Sequence, residues 1–198
     1  MNNYEYIISS LPVLSRDARP GDASTEELLA FIRNQLSAKD NALVDLLLRG
    51  HDDAQLGEAF YREVLASRDP FIREYFRFDL NLRNAKVRYL NRELGRPAEQ
   101  DIFMEPEGVF AEKDRAEAVL ATRDILGRER ALDDLKWGKI LEINVFDYFN
   151  IDSILGFIAR LQIISRWLLL DEQTGREMFR RLVDEVRGTF KGVEFNDK

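Results

Sequence analysis

Apolar residues recur at helical spacing along most of the chain, and the clearest run starts at Asp69. Phe71, Tyr75, Phe78, Leu82, Ala85 and Tyr89 fall on one stripe of a helix, and Phe76, Leu80, Val87, Leu90 and Leu94 fall on a second. Two stripes predict contact on two sides. Asp69-Pro70 marks the start, because Asp accepts from first-turn amides and Pro at the first helical position loses no donor the helix needs. Gly95 and Pro97 mark the end.

Shorter periodic runs lie on either side. Ser24-Thr-Glu-Glu27 has the form of a capping box ahead of Leu28, Leu29, Phe31, Ile32 and Leu36, which predicts a helix over 25–37. Leu43, Val44, Leu46, Leu47 and Leu48 predict a second helix ended by Gly50, and Asp52 or Asp53 is placed to cap a third reaching Ser67. Past an irregular stretch the pattern predicts helices over 111–122, 128–145, 147–170 and 172–191, the last carrying Met178, Phe179, Leu182, Val183 and Val186. Residues 4–10, aromatic and β-branched, fit a strand or a helix equally. The expected fold is all-α, with two packed helical lobes (1–95 and 111–198) joined by an irregular connection over 96–110, where Pro97, Pro106 and Gly108 interrupt any helix.

The run from Ile151 to Leu170 is the most apolar of the chain, but Asp152, Arg160, Gln162 and Arg166 interrupt it. Arginines in mid-span are costly in lipid, so it reads as a central helix in water and no transmembrane segment is expected. The first residues lack a basic run followed by a long apolar one, so residue 1 is taken as the mature start.

Composition then removes whole classes of chemistry. The 198 residues include no cysteine, which excludes disulfides, thiolate metal sites and a cysteine nucleophile, and fits a reducing cytoplasmic setting. A net charge of −7 opposes phosphate neutralisation, so no nucleic-acid partner is expected. His51, the single histidine, precedes Asp52-Asp53 as in metal-dependent phosphohydrolases, but the further histidines of such a cage are missing. It is read as a loop histidine before a capping Asp. Asp133-Asp134 lacks the third carboxylate of a magnesium site and is read as solvated charge near a helix start. Neither Gly-rich phosphate cradle occurs. No catalytic residue, metal or cofactor is therefore expected.

Two polar clusters interrupt the long helices: Asp79, Asn81, Arg83 and Asn84 in one, and Asp152, Arg160 and Arg166, with Gln162, in the other. Each polar group must face water or find a partner. They are either interhelical bonds and a solvated face, or a polar docking surface for another subunit. Arg176, Arg180, Arg181, Arg187 and Lys191 among Glu177, Asp184 and Glu185 give the last predicted helix a mixed-charge face.

The opening Asn3-Tyr-Glu-Tyr-Ile-Ile-Ser-Ser-Leu-Pro12, the segment Phe78-Asp-Leu-Asn-Leu-Arg-Asn84, and the series Leu132–Trp137, Phe149–Asp152 and Leu161–Trp167 resemble an uncharacterised bacterial family whose genes accompany those of V/A-type ATPases. That family in turn resembles a diverged, shortened central-stalk C (or d) subunit. The motifs carrying the likeness are the Tyr-x-Tyr of Tyr4 and Tyr6 and the helix motif Asp79–Asn84. The resemblance implies a non-catalytic spacer between the central shaft and the membrane rotor ring, contributing to ion transport. It also implies a position on the cytoplasmic face of the inner membrane, held by its partners. The usual C subunit has three related lobes, and 198 residues allow about two. Two alternatives remain: a free-standing helical adaptor, and a carboxylate-dependent metal hydrolase built on Asp52, Asp53, Asp133 and Asp134.

Overall fold

The computed structural model describes residues 4–16, 25–146 and 148–169, and among them there are eight helices and no strand. The fold is all-α. The opening segment is a helix, α1 (Glu5–Ser10), and Tyr4 explains its placement. The Tyr4 hydroxyl donates to Asp40, and its amide donates to the Phe149 carbonyl at 2.9 Å.

The predicted helix over 25–37 ends early, as α2 (Thr25–Arg33), because Ser37 caps the next helix, α3 (Ala38–Arg49). The Asp40 amide donates to Ser37 Oγ at 3.1 Å. Ser24 and the predicted helix over 172–191 lie outside the described residues. Gly50 follows α3 as expected, and a Cβ there would lie 2.2 Å from the Phe76 ring. Only glycine lets the end of α3 approach the Phe76 ring so closely.

Helix α4 (Glu58–Leu65) starts later than predicted, with Gly57 at its N-cap. Asp52 instead accepts from the Ala54 amide at 3.0 Å and from Gln55 Nε2 at 2.6 Å, closing a turn. The long helix is α5 (Pro70–Glu93), with Asp69 accepting from the Ile72 amide at 2.9 Å. Gly95 has φ 65°, the left-handed conformation that ends a helix. Helices α6 (Lys113–Leu120), α7 (Ile125–Ile143) and α8 (Ile151–Leu169) follow, α7 opened by Asp124 accepting from the Leu126 and Gly127 amides.

Helix α5 packs against α4, α6, α7 and α8, and α8 packs against α2, α3, α5 and α7. One large apolar cluster draws Tyr4, Ile32, Leu47, Tyr61, Phe71, Phe76, Trp137 and most of α8 together, so α8 is a buried central helix. None of the described helices is long and apolar enough to cross a membrane. A smaller cluster joins Phe78 and Leu82 of α5 to Ala116, Leu120 and Leu132. The first predicted stripe of α5 is thus divided between two clusters. On the second, Phe76 and Leu80 are buried, while Leu90 and Leu94 face water.

Residues 96–112 run back along α5. Asn91 Nδ2 donates to the Ala98 and Gln100 carbonyls at 3.2 and 2.7 Å, Arg88 pairs with Glu99 and Glu105, and Asn84 Nδ2 donates to the Met104 carbonyl at 2.9 Å. The Arg83 guanidinium lies 4.7 Å from the Phe103 ring centre, and Phe110 meets Phe78 edge to face at 6.0 Å. The irregular stretch is a strap laid on a helix, with its backbone carbonyls satisfied by asparagines.

Candidate functional site

Asp79 is the hub of a polar group inside the helices. Lys136 of α7 donates to Asp79 Oδ1 at 2.6 Å and Tyr61 of α4 donates to Oδ2 at 2.9 Å. Their side chains are 28% (Lys136) and 12% (Asp79) exposed, so the pair is well shielded from water. Burial alone pushes the Asp79 carboxyl up, but the Lys136 charge and the bonds from Lys136 and Tyr61 outweigh it and hold the carboxyl below its ordinary range. Burial likewise opposes the Lys136 charge, and Asp79 reverses that and raises the ammonium above the usual lysine range. Both groups are charged at neutral pH.

Next to this pair, Asp133 is buried and accepts from Arg166 and from the Trp167 indole at 2.7 Å. It is not the solvated helix-start charge the sequence indicated, because α7 begins two turns earlier and presents Asp133 to α8. Asp134 faces outward and pairs with Arg16 at 2.5 Å. His51 is exposed in its loop, as the sequence indicated, and the protein around it together with the cations of Lys136 and Arg166 outweighs Asp79 and lowers its imidazole to about 4.

The remaining predicted residues have structural partners or line a surface. Arg83 and Asn84 hold the strap, and Asn81 lines a cavity of about 470 Å³ between α5, α6 and that strap. Arg160 donates to the Gly156 carbonyl at 3.2 Å and lies 5.5 Å from the Trp137 ring centre, and burial lowers its guanidinium from its ordinary value. Asp152 is buried at the start of α8, where its carbonyl accepts from Asn144 Nδ2 at 2.7 Å. Its side chain is hydrogen-bonded to Asp69, whose carboxyl is pushed up from its ordinary value by burial. Structure therefore distributes the two clusters among several interhelical ties. It does not gather them on one face.

No three metal-binding side chains gather among the described residues. Asp52 closes a turn, Asp133 serves Arg166 and Trp167, and Asp134 serves Arg16.

Besides Val13 and Val109, the exposed large apolar side chains among the described residues fall mostly near the two ends of α7. At its C-terminal end Leu141, Val145, Phe146 (85% exposed), Tyr148 and Phe149 face water, and the Phe149 carbonyl accepts from the Tyr4 amide. At its N-terminal end Ile125 (67%) and Leu126 are joined by Leu90 and Leu94 (62%) of α5. The 19 residues of α7 separate these ends by about 28 Å at 1.5 Å rise per residue. Sequence periodicity assigned Leu90 and Leu94 to a buried stripe and gave no sign of either exposed end.

Fold and site define a helical protein whose interior polar groups tie helices together and whose apolar surface is displayed at opposite ends. The chain belongs to the family described as protein of unknown function (DUF2764), whose model matches residues 1–57 and 114–189. The matched segments include Tyr4, Tyr6, His51, Asp133, Lys136, Asp152, Arg160 and Arg166, whereas Asp79, Asn81, Arg83, Asn84 and the strap fall between them. No curated protein and no solved structure matches the chain.

Proposed function

We propose that this protein is a non-catalytic peripheral subunit of a V/A-type rotary ATPase, a spacer between the central shaft and the membrane rotor ring on the cytoplasmic face of the membrane. The observation that carries the reading is the pair of exposed apolar ends on one helix, with Asp79 and Lys136 joining α5 to α7 between them. A spacer needs two contact surfaces and a body that holds their separation. Exposed apolar groups clustered in this way mark contact sites, since water alone gives no reason to display Phe146 and Ile125. The likeness of the Tyr4–Tyr6 opening and of the Leu132–Trp137 and Leu161–Trp167 series to the ATPase-associated family supplies the partner.

The same ends also fit a free-standing helical adaptor. Purification of the intact ATPase from cells that produce the chain separates the two readings. A spacer is retained at about one copy per complex, as a single rotor has a single shaft. Recovery of active, coupled complex lacking the chain would end the ATPase reading and leave the adaptor.

A further inference from the structure

We infer that the chain beyond Leu169 turns back onto the N-terminal end of α7 and covers Ile125 and Leu126 with its own apolar face. The inference goes beyond the spacer reading, because it concerns the free chain and names the occupant of one end. Helices α7 and α8 run antiparallel in a register fixed at four points. Asn144 donates to the Asp152 carbonyl, the Arg160 guanidinium lies 5.5 Å from the Trp137 ring centre, Asp133 accepts from the Trp167 indole, and the Arg130 guanidinium lies 4.8 Å from the Trp167 ring centre. These α7 positions recur at helical spacing and form one face, on which Leu126, a turn before Arg130, is the next position. Asp133, Trp137 and Ile140 on that face are buried, whereas Leu126 is 62% exposed. In this register the position opposite Leu126 falls at Leu170 or just after it, where the described part of α8 has ended.

Residues 170–198 therefore leave α8 at this end, beside a cavity of about 240 Å³ walled by Arg130, Ile163, Ile164 and Trp167. In sequence they carry Met178, Phe179, Leu182, Val183 and Val186 at helical spacing, a face that needs an apolar surface to bury against. Gly175 stands ahead of that face, and glycine admits the backbone conformations with which a chain reverses. After such a reversal Ile125 and Leu126 are at hand, while the aromatic end around Phe146 lies about 28 Å away along α7. Tethering decides between occupants. A segment joined to α8 a few residues away is held at an effective concentration on the order of millimolar, whereas a second copy or a separate partner meets the full cost of association. The family match also runs unbroken from 114 to 189, so α7, α8 and this segment belong to a single stretch of the family pattern. A partner that uses this end of the spacer must first displace the chain's own segment.

Because the chain has no cysteine, single introduced thiols report on this surface. Leu126→Cys and, as an open reference, Val109→Cys are made in the full chain, and their rates of maleimide labelling are compared. Leu126→Cys should label about tenfold more slowly, since the reagent waits for the segment to open. Adding Leu182→Asp and Val186→Asp should restore the rate of the reference. In a second arm, Leu126→Cys paired with Met178→Cys should be joined within one chain by a short bis-maleimide, and Phe146→Cys paired with Met178→Cys should not. This arm keeps the apolar face and decides the matter if the Asp variants fail to fold. Equal labelling of Leu126→Cys with and without the Asp substitutions overturns the inference, as does cross-linking only between two chains, which would make a second copy the occupant. The same thiols in purified ATPase separate the inference from the spacer reading. A cross-link formed in the complex as readily as in the free chain upholds the inference and removes this end from the ATPase contacts. A thiol at 126 that is open in the free chain and shielded in the complex overturns the inference and leaves the spacer reading standing.

Discussion

Lys136 Nζ stands 2.6 Å from Asp79 Oδ1 across the α5–α7 contact, and the Tyr61 hydroxyl completes the carboxylate from the other side. Removing one charge strands the other in a shielded position, so Lys136→Met should lower stability by about 3 kcal/mol. Adding Asp79→Asn should recover part of that loss. Tyr61→Phe, which removes one hydrogen bond, should cost about 1 kcal/mol. Urea unfolding of the two single variants and the double variant checks this. A double variant no better than Lys136→Met alone would show that the pair acts independently.

The same pair sets a pH expectation through the signs of its shifts. The Asp79 carboxyl is held low, so its contribution is present above the ordinary Asp range and disappears as pH falls through the lowered value. The Lys136 ammonium is held high, so its contribution is present below the ordinary Lys range and is lost only as pH rises beyond it. Between those limits the pair contributes no slope. His51 does, because an imidazole pulled down to about 4 binds its proton later in the folded chain than in the unfolded one. Stability should therefore decline as pH falls from about 6.5 toward 4. His51→Ala should flatten that decline while leaving stability at pH 7, and, under the proposed reading, ATPase-coupled pumping, within the scatter of surface variants, about 0.5 kcal/mol. Loss of pumping with an unchanged melt would give His51 a working role.

Gly156 gives a case in which two rules oppose each other. Ala in a helix interior is normally better than Gly by about 1 kcal/mol. Here a Cβ would lie 2.3 Å from Asn144 Nδ2, the group that donates to the Asp152 carbonyl. Gly156→Ala should thus destabilise by about 2 kcal/mol, as overpacked positions do, and Asn144→Ala in the same chain should relieve the clash. Thermal melts of the three variants decide it, and a stabilised Gly156→Ala would show that Asn144 moves aside at little cost.

Phe78 and Leu82 anchor the smaller apolar cluster with Ala116, Leu120 and Leu132. Phe78→Ala and Leu82→Ala should each cost about 3 kcal/mol. Hydrogen exchange in α6 should rise with both, because α6 is held by this cluster. Midpoint shifts near zero would mean that α6 is secured some other way.

Helix α5 was legible because its signals are local: Asp69 before Pro70, apolar residues at helical spacing, and Gly95 at the end. The start of α4 was not, since Asp52 had two local uses and the turn to Ala54 and Gln55 prevailed over a helix cap. The polar clusters were visible as interruptions in apolar stripes, but their partners were not. Lys136 is 57 positions from Asp79, and Met104 is 20 from Asn84. No period in the sequence links such residues. The strap shows the same limit, legible as irregular because of Pro97, Pro106 and Gly108, yet its attachment depends on asparagine side chains meeting backbone carbonyls. The exposed ends escaped notice because periodicity reports which side of a helix is apolar and not how far along it a neighbour extends.

The antiparallel pairing of Asp79 with Lys136 and of Lys86 with Glu129 also bears on how the molecule answers a load along its helices. Were α5 to slip by one turn toward the start of α7, Asp79 would come level with Asp133, and two carboxylates would face each other in a shielded space. Slipping the other way would bring Asp79 beside Ile140, an apolar neighbour with no charge to answer it. Both displacements are uphill. Two charge pairs a few turns apart thus act as teeth, letting the body pass a push from one end to the other without creeping.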